Sequence, residues 1–183
     1  MRVRLVFSGS GGQGVITAAI ILAEAAVIRQ GLNATQSQSY GAAARGGSTR
    51  SDIIISDKEI DFPEVTQPNV LVCLTQDSYN TYASIIRPGG ILLSDSRFVQ
   101  TTRKVDAKQI ELPMYDSVME KIGKPVVFNI CMLGALVGIT EVIKPKSVLA
   151  AVIAKVPKDF IELNTQAFEL GMELGADFSW TKK

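Results

Sequence analysis

RVRLVFSGSGGQGVITAAIILAEAAVIRQG, residues 2–31, decides the fold. Arg2 to Phe7 alternates polar and apolar and then becomes wholly apolar, as a first buried strand should. A glycine loop from Gly9 to Gly14 interrupts it. Val15 to Arg29 then carries apolar residues on nearly every side, so this helix must be covered on most faces. Gly31 marks its stop. A buried strand, a glycine turn and a buried helix in succession open an α/β protein.

The rest of the chain continues the alternation. Asn33–Ser39 reads as a short polar strand, and Tyr40–Gly47, YGAAARGG, as a small-residue loop whose alanines allow a helical turn. Ser48–Ser56 is β-like, and Asp57-Lys58 suggests a hairpin turn into Glu59-Ile60. Val70–Leu74 and Ile91–Ser94 are buried strands. Between them a helix over Ser78–Ile86 is closed by Pro88-Gly89-Gly90. Residues 97–113 are expected to add one or two edge strands. Helices follow at Tyr115–Ile122, Val126–Thr140, Lys146–Lys155 and Lys158–Leu174, with Pro145 suited to a first helical position. Gly134 and Gly138 share one helix face and permit close packing. The terminal DFSWTKK is expected to be a docked or frayed tail. Together these elements predict a three-layer α/β/α sandwich with a mixed, mainly parallel sheet, in one domain over residues 1–183.

Composition narrows the function. With 46% hydrophobic and 20% charged residues and a net charge of +1, the chain is globular and carries no basic run or stripe for nucleic acid or a membrane surface. The start has no signal-peptide pattern. The longest apolar run, Val126 to Ile139, is interrupted by Asn129 and falls short of the roughly 18 residues of a membrane span. A cytoplasmic location is expected. The chain has no histidine, and its two cysteines, Cys73 and Cys131, are far apart in apolar surroundings. No metal or iron–sulfur ligand set and no catalytic residue is expected within the chain itself.

Gly9-Ser10-Gly11-Gly12-Gln13-Gly14 matches G-x-G-x-x-G between a strand and a helix, where backbone amides can cradle a phosphate. A bound dinucleotide also needs an acidic residue about 20 residues on. After Glu24 the next acidic residue is Asp52, so that requirement is unmet. A P-loop reading fails for want of Lys-Ser or Lys-Thr after the glycines. Three readings of Gly9, Gly11, Gly12, Gln13 and Gly14 remain open: a tight strand-to-helix turn, an anion cradle, or a contact with another subunit.

Two segments, GSGGQGVITAAIILAEAA at residues 9–26 and QSYGAAARGGSTRSDIIISDKEIDFPEV at residues 38–65, together resemble the γ subunit of 2-oxoacid:ferredoxin oxidoreductases. That subunit is equivalent to one domain of the fused pyruvate enzyme. The likeness continues through NVLVCLTQDSYNTY, RPGGILLSDS and NICMLGALVGIT. The SYG, ARGG and RSD elements look most like the 2-oxoglutarate type, with the branched-chain 2-oxoacid and indolepyruvate types as alternatives. A stand-alone nucleotide-binding module is the alternative from another class.

The resemblance implies a reaction. A 2-oxoacid, coenzyme A and oxidised ferredoxin give an acyl-CoA, carbon dioxide and reduced ferredoxin. It implies thiamine diphosphate, Mg and iron–sulfur clusters in partner α and β subunits and a ferredoxin-like δ subunit, with ferredoxin as electron acceptor. It also implies coenzyme A at a site shared between chains, and cofactor contacts from the glycine loop and from Tyr40, Arg45, Gly46 and Gly47. Arg45 is the only charged residue between Arg29 and Arg50. It reads as a surface residue, as a structural partner of a carbonyl or carboxylate, or as an anion receptor with a bidentate guanidinium.

Overall fold

The computed structural model describes residues 1–40 and 48–178. The strands are β1 (Arg2–Ser10), β2 (Asn33–Tyr40), β3 (Ser48–Ser56), β4 (Val70–Cys73), β5 (Gly90–Asp95) and β6 (Ala107–Leu112). They form a single sheet in the order β2-β3-β1-β4-β5-β6. β1, β4, β5 and β6 pair in parallel, while β3 runs antiparallel to both of its neighbours. The sheet is therefore mixed and mainly parallel, as expected.

The reversed strand does not arise from the expected hairpin. No strand follows Asp57-Lys58, and residues 57–69 run irregularly. β3 instead lies between β2 and β1, with Ser8 opposite Arg50 on one side and Ser39 opposite Arg50 on the other. The composition of the turn was right for a hairpin, but the run of Ile53, Ile54 and Ile55 has no polar face. All three are fully buried, one or the other face of the sheet taking each in turn. Each contributes about 2 kcal/mol of burial, which favours a strand covered on both faces.

Five helices cover one face: α1 (Val15–Glu24), α3 (Met114–Lys121), α4 (Phe128–Thr140), α5 (Pro145–Lys155) and α6 (Ile161–Gly175). The opposite face is covered by α2 (Gln76–Tyr82) with Val65 and Val99. The result is a three-layer α/β/α sandwich with unequal outer layers. Helix α1 passes into a π-helical turn at Ala25–Arg29. Helix α2 starts two residues earlier than its apolar pattern suggested, because Thr75 and Ser78 form a reciprocal capping box. Residues 97–113 supply one strand, β6. Of the tail, Phe178 docks against Lys108, whose Nζ lies 5.6 Å from the ring centre.

Every one of the 13 residues of α4 is buried. Such burial needs a neighbour that approaches closely, and glycines provide it. A Cβ on Gly134 would strike the Phe168 carbonyl, and one on Gly138 would lie 3.0 Å from the Met172 oxygen. From the other side, a Cβ on Gly171 would strike the Cys131 carbonyl, and one on Gly175 would lie 2.6 Å from the Ala135 oxygen. The sequence pointed to the first pair; the matching pair in α6 has the same spacing and was overlooked.

Gly171→Ala is expected to push α4 and α6 apart and lower stability by about 1–3 kcal/mol. Urea unfolding against the unaltered chain checks this. A Gly171→Ala midpoint no lower than that of the unaltered chain would mean that the seam has slack.

Candidate functional site

β1 lies inside the sheet with β3 on one side and β4 on the other, and chain connections leave in opposite directions from it. α1 covers one face and α2 the other, so the ends of β1 and β4 form a switch point, the usual place for a ligand crevice in an α/β sheet. The glycine loop lies there. Gly12 has φ 92° and Gly14 has φ 71°, the left-handed conformation that glycine adopts without cost. Gly14 is also the N-cap of α1, and no side chain caps that helix.

The other loop residues divide by role. The Gln13 side chain spans the turn: its Oε1 accepts from the Ser10 amide at 2.8 Å, and its Nε2 donates to the Leu74 carbonyl at 3.1 Å. Gln13 thereby ties the loop to the end of β4. Gly9 allows that approach, since its Cβ would lie 2.5 Å from Gln13 Oε1. Gly14 allows another, since its Cβ would lie 2.5 Å from Asn129 Nδ2. Gly12 is different. Among the described residues, nothing lies within 4 Å of its Cβ position, so that part of the chain leaves the Gly12 face open.

Beside the loop opens a cleft of about 640 Å³, walled by the start of α1, residues 125–130, the end of α5 and the start of α6. Its lining is mostly apolar. Phe98, Tyr115 and Phe128 pack edge to face, with centroids 5.1, 5.5 and 6.1 Å apart. Val126, 71% exposed, and Phe160, 48% exposed, form an apolar rim. The one charged side chain among the described lining residues, Lys155, is paired with Glu24 at 2.7 Å. Asn129 is the polar residue nearest the loop, and its Nδ2 donates to the Gly14 carbonyl at 3.3 Å.

Asp95, fully buried at the end of β5, shapes one wall. It accepts from the Arg97 amide at 2.9 Å and the Tyr115 amide at 2.8 Å, fixing the two segments that carry Phe98 and Tyr115. Burial raises its pKa above the usual carboxylate range, against the pull of those amides. Burial also pushes the Cys73 thiol up to about 11, and burial together with the charge of Asp95 pushes Cys131 up to about 12. Among the described residues, no three His, Cys, Asp or Glu side chains converge as a metal site would require, and no helix is long and apolar enough to cross a membrane.

The second group of expected site residues is placed only at its edges. Tyr40 ends β2 opposite Thr49, and Ser48 begins β3 opposite Ser10. Both stems of the intervening segment therefore emerge at the glycine-loop end of the sheet. Arg45, Gly46, Gly47 and the Tyr40 side chain lie outside the described residues. The stem on β3 is held by a residue the sequence reading missed. Arg50 grips Asp52 through two bonds of 2.6 and 2.9 Å, donates to the Val65 carbonyl at 2.9 Å, and lies 5.1 Å from the centre of the Tyr82 ring. Its hydrogen bond to Asp52 is the main cause of its raised pKa.

The sheet departs from the usual dinucleotide-binding order, in which the second strand lies directly beside the first. Here β3 separates β2 from β1. Fold and site thus define an α/β chain with a glycine loop and an apolar cleft at its switch point. The chain belongs to the pyruvate ferredoxin/flavodoxin oxidoreductase family, whose sequence profile matches residues 4–174. It is 41% identical to the 2-oxoglutarate synthase subunit KorC of Methanocaldococcus jannaschii, over 97% of this chain and 96% of that protein. Its structure superposes on the keto/oxoacid ferredoxin oxidoreductase gamma subunit of Geobacter sulfurreducens with a TM-score of 0.89 and 39% identity, over 97% and 98% of the two chains. The fold also recurs in the 2-oxoglutarate:ferredoxin oxidoreductase of Magnetococcus marinus, solved with 2-oxoglutarate, coenzyme A and succinyl-CoA bound. That match has a TM-score of 0.85 and 21% identity, and covers 96% of this chain but 31% of that one.

Both thiols are expected to stay protonated and inaccessible in the folded chain. A thiol reagent such as Ellman's, applied at pH 8, should label neither cysteine until the chain is unfolded, and then both. Labelling of the native chain at the rate of a free thiol would contradict the burial of Cys73 and Cys131.

Proposed function

We propose that this chain is the γ-type subunit of a 2-oxoglutarate synthase working in the cytoplasm, where its two free thiols remain reduced. The complex would convert 2-oxoglutarate, coenzyme A and oxidised ferredoxin into succinyl-CoA, carbon dioxide and reduced ferredoxin. The observation that carries this reading is the end-to-end match to a 2-oxoglutarate synthase subunit, at 41% identity over nearly all of both chains. Thiamine diphosphate with Mg and the iron–sulfur clusters belong, on this reading, to α and β subunits and a ferredoxin-like δ subunit. The chain's own residues do not suit a cluster: Cys73 and Cys131 are buried in cores on opposite faces of the sheet.

What this chain contributes is a wall of the coenzyme A site, shared with a partner. Three features support that role: the open face at Gly12, the apolar cleft beside it, and the two motif stems that meet at this end of the sheet. The glycine loop with Tyr40, Arg45, Gly46 and Gly47 would meet the polar parts of the ligand. The cleft would take an apolar part.

The purified chain alone is expected to show no 2-oxoacid-dependent dye reduction and to bind no iron. The assembled complex should turn over 2-oxoglutarate in preference to branched-chain 2-oxoacids and indolepyruvate. A preference for either of the others would reassign the substrate. Within the complex, Arg45→Ala should raise the Michaelis constant for coenzyme A about tenfold or more, as losing a charge-assisted contact does, and Gly12→Val should raise it by crowding the ligand with a side chain. If instead the complex dissociates on gel filtration, these residues serve a subunit contact rather than the ligand.

A further inference from the structure

Asn129 is the one polar break in the apolar run Val126–Ile139. The residue is 9% exposed, at the start of an otherwise wholly buried helix. A buried amide is costly unless it is bonded, and this one uses its donor on a single target, the Gly14 carbonyl at 3.3 Å. Gly14 has adapted to the contact. Its left-handed φ of 71° and its missing Cβ bring the loop backbone against the Asn129 side chain, with Nδ2, Cγ and Cβ at 2.5, 2.7 and 2.8 Å from the position a Cβ would take. The two residues are 115 positions apart in the chain. On one side of the loop Gln13 ties it to β4; on the cleft side the tie is Asn129.

We propose that Asn129 is a positioning residue for the coenzyme A site. Its amide latches the glycine loop at Gly14, and so fixes how the open face at Gly12 and the wall of the cleft are presented together. This rests on the reading that the loop and cleft serve coenzyme A. Asn129 acts through Gly14. Without the latch, the loop would keep its Gln13 tie and its hydrogen-bonded strand but lose its setting relative to α4.

The test uses the assembled complex with Asn129→Leu, which keeps the volume and loses the donor, and with Asn129→Asp, which places a carboxylate against the Gly14 carbonyl. Both should raise the Michaelis constant for coenzyme A about tenfold, the scale of one buried hydrogen bond. The constant for 2-oxoglutarate should not move. Gly14→Ala drives a methyl into Asn129 and also strains a backbone held at φ 71°, so it is read only in combination. Gly14→Ala combined with Asn129→Ala should cost less than the sum of the single changes, because the colliding partner is gone.

A purely structural role would lower the yield and stability of the complex without separating the two Michaelis constants. Assembled Asn129 variants with unchanged coenzyme A dependence, or with both constants rising together, would overturn the latch. Should neither Asn129 variant assemble, Asn129→Ala, which only removes the amide, decides the matter by the same criterion. If Gly12→Val raises the coenzyme A constant while the Asn129 variants do not, the latch is wrong and the coenzyme A reading stands. If Gly12→Val also leaves it untouched, the reading itself falls and the latch with it.

Discussion

The backbone-to-backbone contact of α4 with α6 holds the thick layer of this protein in place. Four glycines, Gly134 and Gly138 facing Gly171 and Gly175, let the two helices approach until any added methyl would strike a carbonyl. Close approach leaves no room for sliding: a shift of one helix along the other would bring side chains where only glycine fits. The register of α4 is therefore fixed, and with it the position of Asn129 under Gly14. The start of α6 is fixed too, and it carries Phe160 and Asn164 to the far side of the cleft. Packing deep in the helical layer thus sets the shape of a surface feature formed at the ends of the helices.

The sheet supplies the other half of the geometry. Because β3 pairs with β1 along its whole length, from Arg2 opposite Ser56 to Ser10 opposite Ser48, the chain re-enters the sheet beside the glycine loop. A hairpin at residues 57–58 would have left β3 able to pair elsewhere and would have freed that stem. The antiparallel insertion also separates β2 from β1, removing the neighbour on which a dinucleotide's ribose is usually recognised. One topological choice disfavours one ligand class and brings the stem at Ser48 beside the glycine loop. Arg50 completes the arrangement, tying the β3 stem to Asp52, to the irregular segment at Val65 and to α2 through Tyr82.

Features local in the chain were legible in the sequence. The strand–loop–helix opening, the stop after α2, the proline starting α5 and the buried character of α4 each rest on neighbouring residues, and the structure has them. The glycine loop was legible as a turn, but the distinct roles of its glycines were not: Gly14 answers to Asn129, Gly9 to Gln13 and Leu74, and Gly12 to nothing in the described chain. The cleft was invisible because Phe98, Tyr115, Phe128 and Phe160 come from separate elements, and each alone reads as an ordinary core or surface aromatic. Asn129 did leave a signal, as a polar residue inside an apolar run, yet its partner is 115 positions away and only the fold reveals it. Asp95 left none. A carboxylate at the end of an apolar strand looks solvent-exposed until two backbone amides are seen to close around it.

The character of the cleft bears on how such a chain can assist the reaction of a larger complex. Its lining offers aromatic and aliphatic surface, and its charged side chain is already neutralised by Glu24. Such a surface suits the binding of an apolar group. Binding far from the reacting atoms still helps when it is spent on orientation, since a ligand held at its remote end arrives at the reacting centre with less freedom left to lose. That use requires a wall that does not yield. Here rigidity comes from the glycine seam behind α4, from Asp95 fixing the aromatic segments, and from Gln13 and Asn129 holding the loop from two sides. The ties are hydrogen bonds between parts of the chain distant in sequence, so the precision of the site depends on the completed fold, and no single segment could supply it.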